Sequence, residues 1–319
     1  MTRDVVFSDS NGVTGSNSMP SVAAWPWQFA NWRGDTLLNL AQGGLSSVSL
    51  ARPVYAHAPA AGDRTIVGIG TNDMRMRTAS AGALSVFKAA LTAEVYWLAG
   101  TMLRGRDPGW TYTGTWGTTW MADAFGPALT VGKWTNQIGA TASAQFEGDV
   151  LMLGTLVHSV GGTFQVTVDG VVKGTFNTLA AAPVNLTLEP GWAPAVVRYT
   201  GFGPGTTHTV VITALTATGA LAVDWLWTGA PRADAPLYLL TVPRMGPGSG
   251  VAGSDAGIAQ YNGLIAALVS QALGDGLDVT LVDSGARIDP VADIVADGFH
   301  YSPQGHLDVS GALMGATSE

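Results

Sequence analysis

Helical periodicity disappears from about Arg104 to Arg232, while the chain on either side alternates strand and helix signals. A period-two stretch of that length does not fit a βαβ rhythm and calls for a sheet system of its own. Ahead of the break, Asp4 to Phe7, Thr36 to Ala41 and Arg64 to Gly70 read as short strands, Val5-Val6-Phe7 of the first being buried. Between and after them, Ser21 to Trp32 and Leu84 to Gly100 read as helices, with Pro26 early in the first or bending it. Behind the break, the continuous apolar run Pro236 to Val242 suits a parallel strand covered on both faces. A helix follows, with Ile258, Tyr261, Leu264, Ile265, Leu268 and Ala272 on one face and Asp255 as its expected cap. "LDVTLVD" supplies a fifth strand, and the chain runs on through a loop into a last helix. Five strands with helices between them predict an α/β, doubly wound parallel sheet.

Inside the break, "GTFQVTVDGVVKGTF" alternates apolar and polar residues on both sides of Asp169-Gly170, a strong hairpin signal. "GATASAQFEGDVLMLGTLV" adds strands, and "THTVVITALTATGALAVDWLW" reads as a strand pair joined near Thr218-Gly219. Short strands at regular spacing predict a β-sandwich. The expected organisation is an α/β domain of residues 1–105 and 233–319, with an all-β domain of residues 106–232 inserted in it. Seven of the 11 Trp fall in the insert: Trp110, Trp116, Trp120, Trp134, Trp192, Trp225 and Trp227. Rings of that kind either fill a sandwich core or present flat faces to sugars.

Composition narrows the function classes. A formal charge of -8 without a Lys/Arg run argues against a nucleic-acid partner. The absence of Cys excludes disulfides, thiolate metal sites and cysteine nucleophiles. His57 and His306 lie in loop-like sequence, His158 and His208 in strand-like sequence, and none has zinc-protease spacing, so neither metal nor cofactor is expected. His306 is expected to be an exposed loop residue. The run Leu84 to Gly100 carries Lys88 and Glu94 and is short for a span, so a packed amphipathic helix is expected and no membrane span. No signal peptide is expected either, because "MTRDVVFSDSNG" breaks too early for an apolar core.

Four loops fall past strand ends on one edge of the expected sheet, where open α/β folds bind ligands. Ser10 follows the first strand in "FSDSN", and Gly43-Gly44 follow the second in "NLAQGG". Asn72 follows the third in "GTND", and Asp297 and His300 follow the fifth in "DGFH". A hydroxyl, an unshielded backbone N–H, a carboxamide and a carboxylate-imidazole pair are the parts that acyl transfer requires. Asp9 and Asp73 read as turn carboxylates that bond nearby backbone N–H groups. The glycine-rich loop Pro243 to Asp255 also follows a strand on this edge. It reads equally as a lid or as a plain connection.

In this order the four segments resemble the four blocks of the SGNH hydrolases, the GDSL-type esterases and lipases. The resemblance covers roughly Met1 to Gly105 and Pro236 to the end, but not the insert. It departs at Ser8, where the first block usually has glycine. It implies a flavodoxin-like sheet and a serine esterase with Ser10 as nucleophile, His300 as base and Asp297 as its orienting partner. The oxyanion hole would be the N–H groups of Ser10 and Gly44 and the Asn72 amide, Gly44 being preferred to Gly43 by its spacing from Asn39. The insert weakly resembles jelly-roll modules found beside carbohydrate esterases, which implies an ester of a small molecule or polysaccharide, such as an O-acetyl glycan. Action outside a cell or on a virion, and a homo-oligomer, are compatible with this reading. The other class kept open is a weakly catalytic or non-catalytic glycan-binding or assembly protein of a virion or cell surface.

Overall fold

The computed structural model describes residues 2–13, 21–118, 132–179, 192–216 and 220–318, and the chain divides into two compact units, residues 1–88 with 232–319 and residues 89–231. In the first unit the chain begins with β1 (Arg3–Ser8), α1 (Trp25–Arg33), β2 (Thr36–Asn39), α2 (Ser47–Ala56), β3 (Asp63–Gly68) and α3 (Thr71–Arg77). Helix α4 (Ala81–Ala99) runs on into the second unit. Two of these helices lie where no helix was expected. Helix α2 contains Pro53 and two β-branched valines, which hide it from a propensity reading. It starts at a reciprocal cap in which Ser46 and Ser49 satisfy each other's turn.

The second unit holds β4 (Gly100–Arg104), β5 (Thr111–Thr113), β6 (Lys133–Thr135), β7 (Thr141–Glu147), β8 (Val150–His158) and β9 (Thr163–Val168). It continues with β10 (Val171–Asn177), β11 (Trp192–Thr200), β12 (Thr207–Ala214), β13 (Leu221–Val223) and β14 (Trp225–Pro231). A five-stranded sheet of order β10-β9-β12-β7-β5 and a four-stranded sheet of order β11-β8-β14-β4 share one core. Phe146, Phe164, Val166 and Ile212 enter it from the first, and Leu151, Leu153, Val197 and Leu226 from the second. Alternate residues of β7, β9 and β12 are buried, as a sheet with one covered face requires. The Asp169-Gly170 turn joins β9 to β10 with both residues at positive φ, 51° and 78°, as the tight hairpin turn demands.

The expected pair around Thr218-Gly219 is not a hairpin. Strand β12 pairs with β7 and β9, whereas β13 pairs with β6 and β14 with β4 and β8. Thr218-Gly219 itself and Trp120 lie outside the described residues. The expected boundary near Gly105 falls inside this unit, because β4 pairs with β14 and Tyr96 of α4 packs edge-on against Trp227 at 5.2 Å. Nor is α4 amphipathic throughout: Lys88 is exposed, but from Ala89 to Gly100 every residue is buried.

The first unit resumes with β15 (Leu237–Leu240), α5 (Ser254–Gly274), β16 (Val279–Val282) and α6 (Pro303–Ala316). Its sheet is wholly parallel, with order β16-β15-β3-β1-β2, the flavodoxin-like arrangement. One face packs Val6, Ile66, Leu240 and Val282 against Trp25 and Phe29 of α1 and Val309 and Leu313 of α6. On the other, α4 and α5 meet through Phe87 and Tyr261, edge to face at 4.7 Å. Asp255 does not cap α5. The cap position is Gly253, in the left-handed conformation, and Asp255 lies in the first turn, 3.9 Å from Arg244.

Candidate active site

Strand β1 delivers Asp9 and Ser10 to a one-turn 3-10 helix, Ser10–Gly12, at the carboxyl edge of the sheet. The buried Asp9 carboxylate accepts the Asn11 N–H at 2.9 Å and so shapes this turn. Burial, opposed by that hydrogen bond, drives the Asp9 pKa up to about 7. Ser8, in the place of the usual glycine, turns away beneath the loop. Its hydroxyl donates to the Gly68 carbonyl at 2.7 Å, and its Cβ occupies the space a side chain on Gly12 would need. Ser8 also lines a cavity of about 20 Å³ with Asp9, Asn11, Thr71 and Tyr301, room for one water.

His300 lies in the loop between β16 and α6. Its Nε2 is 2.9 Å from the Ser10 hydroxyl, and its Nδ1 is 2.5 Å from the Asp297 carboxylate. With the Nδ1–H given to Asp297, Nε2 is left to accept from Ser10. The other Asp297 oxygen accepts the N–H groups of Phe299 and His300 at 2.9 and 3.1 Å, so one carboxylate folds its own turn and aims the ring. Partial burial opposes the Asp297 charge, but the His300 ring and these N–H groups outweigh it and hold the carboxyl below the usual range.

Asn72, buried in the first turn of α3, donates from its amide nitrogen to the Leu45 carbonyl at 3.0 Å. That bond ties it to the loop of Gly44, which has φ of 79° and suits glycine. A carboxamide has two N–H donors, so one remains for a ligand. Asn39 joins the same loop to the Ser10 turn by donating to the Gly12 carbonyl at 2.8 Å. Hydrogen bonds thus link Ser10, His300 and Asp297 directly, and link Asn72 to Leu45, the residue after Gly44. Asp73 bonds its own backbone N–H and reaches beyond its turn as well: it accepts the Ser47 N–H at 2.8 Å and the Ser47 hydroxyl at 2.6 Å, and pairs with Arg77 at 3.2 Å.

Asn11 is the residue a sequence reading passes over. Its side-chain nitrogen donates to the Phe299 carbonyl and its oxygen accepts the Tyr301 N–H, both at 3.1 Å. One buried carboxamide therefore grips both peptide groups flanking His300. Asn11→Ala is expected to lower kcat about 10–100-fold, the cost of a displaced reacting group. Fluorophosphonate inactivation should slow in parallel, which would separate loss of Ser10–His300 alignment from weaker substrate binding.

His306 departs from expectation. It lies within α6, is 4% exposed, accepts the Trp25 N–H through Nδ1 at 3.2 Å, and meets the Tyr301 ring edge-on. Burial, assisted by nearby His300, lowers its pKa to about 4. An unfolded histidine titrates near 6.5 (roughly), so as pH falls from there towards 4 the unfolded chain binds a proton that the folded one refuses. Stability is lost across that window, by about 3 kcal/mol at the acid end. The buried Asp9 acts in the opposite sense, so the readout is a difference. Acidification from pH 7 to 4 is expected to destabilise His306→Gln less than wild type, as measured by urea unfolding.

Of the remaining histidines, His57 closes α2, His158 ends β8, and His208 on β12 is 2.6 Å from Asp169. Among the described residues no cluster of His, Cys, Asp and Glu is placed to hold a metal, and no helix is long and apolar enough to cross a membrane. The loop from Pro243 docks on the Asp297 turn: Gly246 donates to the Gly298 carbonyl at 3.0 Å, and a Cβ on Gly298 would run into the Ser249 backbone.

No protein-family model matches the chain, and none of the curated proteins matches it. Several solved structures are similar. A lipolytic protein of the G-D-S-L family from Veillonella parvula is 8% identical, with 100% of each chain covered and a TM-score of 0.48. A two-domain esterase active on acetylated mannans is 9% identical over 73% of this chain and 92% of its own, with a TM-score of 0.38. A CBM36 carbohydrate-binding module, solved with calcium and xylotriose, is 15% identical over 40% of this chain and 97% of its own, with a TM-score of 0.27.

Proposed function

We propose that the chain is a serine ester hydrolase of the SGNH type, acting on carboxylic esters through an acyl-enzyme. The observation that carries this reading is the relay Ser10–His300–Asp297, with separations of 2.9 and 2.5 Å, the first between residues 290 positions apart. In the first half-reaction the Ser10 oxygen attacks the ester carbonyl while His300 Nε2 takes the hydroxyl proton. The N–H groups of Ser10 and Gly44 and the second N–H of Asn72 stabilise the tetrahedral oxyanion. Each such donor is worth about 10²–10³ in rate. Collapse expels the alcohol, which receives the proton from His300, and a water activated by the same imidazole then releases the acid and regenerates Ser10. Asp297 holds the imidazole and stays charged throughout.

A short-chain or O-acetyl ester of a carbohydrate is the substrate class we favour. Trp110, Trp225 and Trp227 are core residues, at most 6% exposed, and offer no platform. Trp116 and Trp134 are half-buried, which leaves ring surface for a sugar. The test is turnover of p-nitrophenyl acetate together with labelling by a serine-directed fluorophosphonate. One label on Ser10 and measurable turnover are expected. A purified, folded protein that neither turns over the ester nor takes the label would refute the reading and leave binding or assembly as its role.

A further inference from the structure

Arg75 stands one helical turn beyond Asn72 on α3, and residues three apart are neighbours on a helix surface. Its guanidinium lies over the ring of Phe299, 4.7 Å from the centroid, and Phe299 is the residue before His300. One cation is therefore shared between the two walls of the site, the α3 wall that carries Asn72 and the loop that carries the base. A guanidinium held over an aromatic ring uses its face there, and its N–H fork can still meet a carboxylate. Arg75 is exposed, and among the described residues no ion pair includes it. The carboxylates two residues before Arg75 and two before Phe299, Asp73 and Asp297, are engaged elsewhere. Asp73 is buried against Ser47 and Arg77, and Asp297 is bound to His300.

We propose that Arg75 is a specificity residue that receives an anionic group of the substrate, so that the preferred esters carry a carboxylate within about one sugar ring of the scissile bond. An O-acylated acidic sugar has that chemistry. The proposal rests on the ester-hydrolase reading and adds to it a sign of charge. A cation held on an aromatic ring is already ordered, so less side-chain freedom is lost when the anion binds.

The test compares p-nitrophenyl acetate, which is neutral, with two carboxylate-bearing esters: mono-p-nitrophenyl succinate, charged on the acyl side, and 4-acetoxybenzoate, charged on the alcohol side. The quantity read is the ratio of kcat/KM for each charged ester to that for the neutral one. Arg75→Met is expected to lower this ratio about tenfold or more for at least one charged ester, mainly through KM, because a charge-assisted hydrogen bond is lost. Arg75→Lys should restore part of it. In wild type the ratio should fall as salt is raised from about 0.02 to 0.5 M, where an exposed charge is screened. An unchanged ratio in Arg75→Met would overturn the proposal, including the case in which all three esters slow equally because Arg75 only holds Phe299 in place. Wild-type protein inactive on all three esters would overturn the ester-hydrolase reading as well.

Discussion

Ser10→Ala is expected to lower kcat/KM for p-nitrophenyl acetate by about 10⁴-fold or more, with the thermal unfolding profile unchanged. The size follows from the geometry. Ser10 is the group to which the His300–Asp297 pair is aimed, and without its hydroxyl the imidazole has no proton to accept and no acyl-enzyme forms. The fold should not suffer, because the turn is shaped by Asp9, Asn11 and Gly12 and not by the Ser10 hydroxyl. Residual turnover would come from the oxyanion donors and attack by solvent water alone. His300→Ala should fall to a similar floor, and the double variant no lower, since groups that act as a unit are not additive. Ser10→Ala near wild-type rate, or a double variant much below either single one, would refute the shared role.

Asp73→Ala is expected to have the largest effect on stability, about 3–5 kcal/mol, as for a buried ion pair that loses one partner. Asp73 is 1% exposed and Arg77 9% exposed, so removing the carboxylate strands a buried guanidinium and leaves the Ser47 N–H and hydroxyl without their acceptor. Burial works against the Asp73 charge strongly enough to raise its pKa despite Ser47 and Arg77. The pair is therefore a fastening whose breakage is costly, more than a source of net stability. Asp73→Asn retains an oxygen for Ser47 and should cost less. Because Ser47 opens α2 directly after the Gly44 loop, activity on small esters should fall along with stability. Urea unfolding with Asp73→Ala within about 1 kcal/mol of wild type would contradict this account.

The elements legible in the sequence were those whose signal is local. Strands β1 and β15 carry continuous apolar runs, Val5 to Phe7 and Leu237 to Leu240, because a parallel sheet is covered on both faces. Asp169-Gly170 fixed a hairpin because few dipeptides accept two positive φ values. The positions of Ser10, Gly44, Asn72, Asp297 and His300 past strand ends followed from those strands. What stayed hidden depends on partners far along the chain. Helix α2 is held by burial and by Ser46–Ser49 capping against its own propensity. The Asn11 clamp spans 288 and 290 residues, and nothing in "DSNG" announces it. The burial of His306 left a trace that could have been used: Ser302 followed by Pro303 is a cap and first-turn pair, and it marks a helix start where "SPQGH" looks like a polar loop.

The Asp297–His300 pair lies within four consecutive residues, while the Ser10 hydroxyl bonded to His300 lies 290 positions earlier. On a ribosome, β1, β2 and β3 emerge first and can pair among themselves, since β1 is bonded only to the other two. Ser10 therefore waits in place through the synthesis of everything between, and acquires its base only when the segment carrying His300 arrives. Esterase activity would then appear late and in one step during translation, as a report that the two ends of the described chain have met.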